Sequence, residues 1–246
     1  MTGYFCVSFQ VLEDSWQIME NGFLKANMKQ GISFNDFSTP IDLIGAIVKL
    51  LEPTSDEKIY DGACGYLGFL LEAKNYIEKN ESTDVKTTNL SGREINKEIF
   101  DQALNLASKN GLKESHFNFE NSLNNDGKDT SKFDIVMSNP PFGLKSQNSE
   151  GELGFKTSNG TNKFLQHYIN SLKMGGRAAV IITNSFFFEA SKAGVGLRKY
   201  LIENCNLHTV LGLPQNTFSY TAINSSVLFF SKIGICFLSM KIHKCS

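Results

Sequence analysis

Lys58-Ile59-Tyr60-Asp61-Gly62-Ala63-Cys64-Gly65-Tyr66-Leu67-Gly68 is a short apolar run that breaks into a glycine-rich turn, and helical spacing resumes beyond it over residues 68–79. Strand, tight turn and helix in that order open a βαβ unit. The same alternation extends in both directions. Before it, Thr39-Pro40 places a cap residue ahead of a proline at the first helical position, and Leu43, Ile44, Ile47, Val48 and Leu51 follow at helical spacing. After it come a strand over 88–92 with Glu94 near its end, a helix capped by Asn96 that runs to Leu106, and a short strand over 116–120. The apolar run Phe133-Asp134-Ile135-Val136-Met137-Ser138 supplies the next strand. Residues 143–162, rich in Gly, Ser, Asn and Lys, predict a long mobile loop. A helix over 163–172, a turn at Gly175-Gly176, a strand over 178–183, a helix over 197–203 and strands over 210–213 and 226–230 complete the pattern. Short apolar strands alternating with amphipathic helices predict an α/β fold, a doubly wound Rossmann-like sheet with helices on both faces.

The bulk numbers narrow the class. A chain of 246 residues holds one large α/β domain, expected over 39–232, with a lead-in over 1–38 and an atypical tail over 233–246. No apolar stretch approaches the roughly 20 residues of a membrane span, and Met1-Thr2-Gly3-Tyr4-Phe5-Cys6 lacks the basic region of a signal peptide. Cys6, Cys64, Cys205, Cys236 and Cys245 are odd in number and scattered, which argues against a disulfide framework or a zinc site. The expectation is a cytoplasmic protein that uses no metal. A net charge of −1 is not the footprint of an independent nucleic-acid binder. Such a chain acting on DNA would borrow basic surface from a partner.

In doubly wound sheets ligands sit outside the carboxyl ends of the strands. Asp61, Glu94, Asn121 and Asn139 each follow a predicted strand, so they should converge on one edge. The most specific chemistry there is Asn139-Pro140-Pro141-Phe142. The Asn139 side-chain oxygen and the Pro140 carbonyl, held by a fixed proline φ, form a pair of acceptors for the two hydrogens of an exocyclic amine. Phe142 offers a flat ring to stack on a base rotated out of a duplex. That is equipment for an amine such as adenine N6. A strand-ending turn with a buried Phe is the plainer alternative.

The turn from Asp61 through Cys64 and Gly65 to Gly68 suits a nucleotide-like cofactor, because glycines admit close backbone approach and a carboxylate can hold an ammonium group. Glu94 sits where an acidic residue bonds ribose hydroxyls in such folds. Asn121 is either a contact to the cofactor's adenine or a cap. Cys64 reads as a packing residue, and His167 as structural or solvent-exposed. Lys145, Lys156 and Lys163 could meet phosphates or simply be solvated.

Together these stretches resemble the modification (M) subunit of type I restriction-modification systems, an N6-adenine DNA methyltransferase family. The resemblance runs over residues 37–232. Beyond the motifs above it includes Phe37-Ser38-Thr39-Pro40, Gly92-Arg93-Glu94-Ile95-Asn96, Phe164-Leu165-Gln166-His167, Gly175-Gly176-Arg177-Ala178-Ala179-Val180, Leu211-Gly212-Leu213-Pro214 and Val227-Leu228-Phe229-Phe230. It implies an S-adenosyl-L-methionine site at Thr39, Pro40, Asp61, Cys64, Gly65, Glu94 and Asn121, and a target-base site at Asn139, Pro140, Pro141 and Phe142. It also implies a specificity-subunit partner that reads DNA, and often a restriction subunit. Gly62, Tyr66 and Leu67 depart from the family's usual Asp-Pro-x-Cys-Gly-Ser/Thr-Gly-Gly. Leu67 stands at a glycine place, where it would crowd the cofactor or require a positive φ. The family's long N-terminal helical region and terminal helices have no counterpart here, which suggests a truncated member. Two further readings follow: a non-catalytic remnant that binds partners or DNA, and a protein-glutamine N-methyltransferase with a similar Asn-Pro-Pro-aromatic motif.

Overall fold

The computed structural model describes residues 39–81, 89–124 and 127–233. The expected lead-in, Phe37-Ser38, Thr88 and the tail beyond Ile233 lie outside them. In chain order the elements are α1 (Ile41–Leu51), β1 (Ile59–Asp61), α2 (Gly68–Glu81), β2 (Leu90–Glu94), α3 (Lys97–Lys109), β3 (Phe117–Phe119), β4 (Phe133–Ser138), β5 (Lys145–Glu150), β6 (Lys156–Asn159), α4 (Gly160–Ser171), β7 (Leu172–Thr183), the single turn α5 (Ser185–Phe188), α6 (Lys192–Asn204), β8 (Cys205–Gly212) and β9 (Ser225–Lys232). Among the described residues one sheet has seven strands in the order β3-β2-β1-β4-β7-β9-β8, and β5 and β6 form a separate pair. All neighbours from β3 to β7 pair in parallel, while β9 runs antiparallel to both β7 and β8.

Alternation along the strands divides the core. Ile59, Leu90 and Ile135 face the buried stripes of α1, α2 and α3, where Ile47, Leu70 and Ala103 pack. Tyr60, Val136 and Val180 face α4 and α6, packing against Leu165, Tyr168 and Leu197. Helices therefore cover both faces, as the alternation predicts. Each fully buried Leu or Ile in these layers contributes about 1.5–3 kcal/mol of hydrophobic stabilisation. The chain order reverses between β1 and β4, and that switch point is where open α/β sheets bind ligands.

Capping sets several boundaries. The Asn96 side chain accepts from the amides of Glu98 and Ile99, and the Asn159 side chain accepts from Thr161. Thr39 departs from the expectation. Pro40 occupies the cap position of α1 with no side-chain bond, and the Thr39 hydroxyl instead accepts from Asn139.

Residues 143–162 are not a long loop. They contain the β5–β6 hairpin and the start of α4, with no apolar alternation to signal a strand. The hairpin is held by α4 side chains. Gln166 accepts from the Leu153 and Phe155 amides and donates to the Phe155 carbonyl, and Lys163 donates to Ser149. Tertiary ties of this kind are invisible to a local pattern. Nor does Gly175-Gly176 separate a helix from a strand: β7 passes through it. Gly175 takes φ +80, and the register slips between Phe133 and Ile135 on the facing strand. A Cβ on Gly176 would stand 3.0 Å from the Asp134 carbonyl oxygen, so the strands approach closely here.

Candidate functional site

Parallel pairing brings the ends of β1, β2 and β4 side by side. Asp61 closes β1, Glu94 closes β2, and Ser138 closes β4 immediately before Asn139. Ser138 donates to Asp61 Oδ1 at 2.6 Å, so the residue preceding Asn139 is bonded to the carboxylate of the glycine-rich turn. Its hydroxyl also lies 2.7 Å from that of Tyr168. The Ala63 amide donates to the same Asp61 oxygen at 3.0 Å.

Asp61 is only 2% exposed. Burial pushes its carboxyl up to about 7; the bonds from Ser138 and Ala63 oppose that rise, and the charge of Glu94 adds to it. Glu94 ties the turn from the other side. Its Oε2 accepts from the Gly65 amide at 3.1 Å and its Oε1 from the Asn96 amide at 2.8 Å.

Within the turn, Gly65 has φ +49 with open space where a Cβ would stand. Gly62 is confined: a Cβ there would meet Tyr168 Cε1 at 2.8 Å and the Tyr60 hydroxyl at 2.9 Å. Cys64 is buried, and a Cβ on Gly92 would stand 2.9 Å from its Sγ. Burial holds its thiol well above the ordinary range, with the charges of Asp61 and Glu94 acting in the same direction, so it is a packing group and not a thiolate. Leu67 does take the left-handed conformation, φ 65, but its side chain is fully buried in the α1–α2–α3 core. That strain costs about 1–2 kcal/mol, whereas losing a buried leucine side chain costs more, about 2–5 kcal/mol. Leu67→Gly is therefore expected to destabilise the protein by about 1–3 kcal/mol despite relieving the backbone. Denaturant unfolding checks it; a gain in stability would show that strain outweighs packing.

Asn139 is anchored across the edge, its Nδ2 donating to Thr39 Oγ1 at 2.9 Å. Its Oδ1 is buried with no hydrogen-bond partner. A buried carbonyl oxygen left unpaired costs about 1–3 kcal/mol, so it is an acceptor in want of a donor. Pro140 is buried beside it. Phe142, partly buried, meets Phe218 edge to face at 5.3 Å and lies 6.4 Å from Tyr220. Phe218 and Tyr220 lie in the connection between β8 and β9, where no local pattern in the sequence signals their contact with Phe142. Ser138 ends β4, and nothing local in the sequence signals its bond to Asp61.

Asn121 stands outside this group. Its Oδ1 accepts from the Leu123 amide at 3.0 Å and caps a short 3-10 turn. His167, 1% exposed, bonds Tyr60 and Glu152 and is structural, not surface. Lys145 and Lys156 are exposed, whereas Lys163 is buried on Ser149. A cavity of about 280 Å³ lies elsewhere, lined by Lys58, Arg93, His116 and Lys132 among others. Arg93 is already engaged there by Asp129 at 2.5 Å. The edge holding Asn139 remains the better candidate, because it combines an orphaned acceptor, a buried carboxylate and an open glycine turn. Among the described residues no group of three His, Cys, Asp or Glu could hold a metal ion.

Comparison with known proteins bears on this edge. A family model described as N-6 DNA Methylase matches residues 17–235. The methylase subunit of the type I restriction enzyme EcoKI from Escherichia coli (strain K12) is 33% identical over 236 residues, covering 89% of this chain and 44% of that protein. The crystal structure of the EcoKI M protein superposes with a TM-score of 0.73 at 31% identity, over 81% of this chain and 45% of that one. A structure described as the basis of complex assembly and conformational transition of the type I R-M system gives 0.74 at 26% identity, over 92% and 46%. The chain thus spans less than half the length of the curated relatives it matches.

Proposed function

Because the chain belongs to the N-6 DNA methylase family, we propose that it carries the catalytic domain of a site-specific adenine-N6 DNA methyltransferase of the type I restriction-modification kind, over residues 39–232. The observation that carries this reading is the buried, unpartnered Oδ1 of Asn139 beside the Asp61 turn. Asn139 Oδ1 and the Pro140 carbonyl accept the two hydrogens of adenine N6, which favours a more tetrahedral nitrogen with its lone pair available. Phe142, braced by Phe218 and Tyr220, stacks on the rotated base. Both acceptors are fixed before reaction, so they meet positive charge as it develops on N6 without reorganising.

S-adenosylmethionine, when bound, supplies an electrophilic methyl group on a sulfonium. Its ammonium group suits the Asp61 carboxylate, its ribose hydroxyls suit Glu94, and Gly65 leaves room for close approach; Thr39 and Pro40 border the site, and Cys64 packs beneath it. Asn121, occupied as a cap, is the weakest member of the set. No metal is needed for this transfer. The burial of Leu67 in the core supports an active turn over a remnant, since its bulk is directed away from the cofactor side. The matches at Leu211-Gly212-Leu213-Pro214 and Val227-Leu228-Phe229-Phe230 favour DNA over a glutamine amide.

Partners are a specificity subunit that supplies sequence reading and basic surface, and a restriction subunit. The net charge of −1 supports that dependence. No helix among the described residues is long and apolar enough to cross a membrane, which is compatible with a cytoplasmic location. The full chain is expected to bind S-adenosylmethionine with micromolar affinity by calorimetry, and to form N6-methyladenine in DNA when a specificity subunit is supplied. Absence of any cofactor binding would overturn the assignment.

A further inference from the structure

The peptide joining Gly62 to Ala63 is held on both of its polar atoms. Its N–H donates to Asp61 Oδ1, and its C=O accepts from Ser122 Oγ at 2.6 Å. Ser122 is 2% exposed and lies 3.3 Å from the Tyr60 hydroxyl. Since Ser122 gives its one hydroxyl hydrogen to Gly62, Tyr60 is the donor in any bond between them. The Tyr60 hydroxyl is 2.9 Å from His167 Nε2, and His167 Nδ1 is 2.7 Å from Glu152 Oε1, in the connection between β5 and β6. Every member but Glu152 is buried in the core. A continuous polar chain thus runs from the hairpin that follows the Asn139 motif to the backbone of the cofactor turn.

We propose that Tyr60 and Ser122, backed by His167 and Glu152, are positioning residues that fix the orientation of the Gly62–Ala63 peptide for cofactor binding. A glycine peptide is intrinsically free to rotate. Here no side chain at position 62 can restrain it, because the Tyr60 hydroxyl and the Tyr168 ring fill that space. The chain replaces that restraint. It holds the carbonyl away from Asp61 and the amide toward it, so the Asp61 carboxylate stays oriented. The assignment rests on the cofactor reading of the turn, and extends it to four residues linked to that turn by hydrogen bonds.

The test uses Tyr60→Phe, Ser122→Ala and Glu152→Gln in the full chain. Tyr60→Phe removes one oxygen and keeps the ring stacked on Phe133, 4.4 Å away. Hydrogen exchange at the Ala63 amide, read without cofactor, should quicken roughly 3- to 10-fold in the first two variants, with a smaller rise in Glu152→Gln. S-adenosylmethionine affinity should weaken by a similar roughly 3- to 10-fold, and the double variant Tyr60→Phe, Ser122→Ala should be little worse than either single one. A residue that merely ties down the hairpin would leave Ala63 exchange unmoved in Glu152→Gln. Unchanged Ala63 exchange in Tyr60→Phe and Ser122→Ala, at unchanged melting temperature, overturns the proposal. If the unaltered chain binds no cofactor, the proposed function fails while the exchange rates still decide the chain.

Discussion

Asn139→Ala is expected to lower methyl transfer to DNA by about 10²–10³-fold or more, while S-adenosylmethionine affinity stays nearly unchanged. The side chain is fixed by Thr39 on one atom, and its other polar atom, Oδ1, is buried without a donor. An acceptor prepared this way acts only when the target amine arrives, and most strongly as that amine gains positive charge. Its loss should therefore fall on turnover. Thr39 would lose the bond it accepts from Asn139 Nδ2, at a cost of about 1 kcal/mol to stability. The measurement pairs initial rates of labelled methyl incorporation, with a specificity subunit present, against calorimetry with the cofactor alone. Equal losses in both would place Asn139 in cofactor binding instead and remove it from the target-base site.

Much of this edge was legible because its signals are local. The apolar run before Asn139, the glycines after Asp61 and the Asn96 cap are each encoded within a few residues, and β4, α2 and α3 follow them closely. At Leu67 the resemblance left two outcomes open, a crowded cofactor or a positive φ, and the fold shows the second: φ is 65 and the side chain is buried in the core. What stayed hidden depends on distant partners. The β5–β6 hairpin is polar on both faces and exists because Gln166 and Lys163 tie it to α4. His167 sits at an ordinary helical position, and only the fold shows Tyr60 and Glu152 converging on it. Thr39-Pro40 reads locally as a helix start, and only the resemblance points to Thr39 as part of a site. The bond it accepts from Asn139, 100 positions away in sequence, has no local signal.

Asp61 governs the second large effect, which is a pH dependence with a definite sign. Its carboxyl is pushed up to about 7 by burial, above the roughly 3.9 of an exposed aspartate. Between about pH 4 and 7 the folded protein holds this proton while the unfolded chain has released it. Stability from this group is therefore fully present below that window and is lost as pH rises through about 7. A cationic ligand reverses the preference, because an ammonium beside the carboxylate favours its charged form. Cofactor affinity should then strengthen as pH rises toward about 7, by at most about tenfold per unit, with a proton released from Asp61 on binding. Above about pH 8 the cofactor's own amino group loses its charge, so affinity should peak between the two. Asp61→Asn keeps the size of the side chain and removes the charge. It should weaken binding by about 10²-fold at the optimum, as expected when one partner of a buried charged pair is lost. The same variant should flatten the acidic limb and melt higher than the unaltered chain at alkaline pH, because no buried charge remains to be formed. Calorimetry and thermal unfolding at acidic and alkaline pH read both effects. An affinity profile that keeps its acidic limb in Asp61→Asn would mean that another group titrates, and that the ammonium is held elsewhere on the edge.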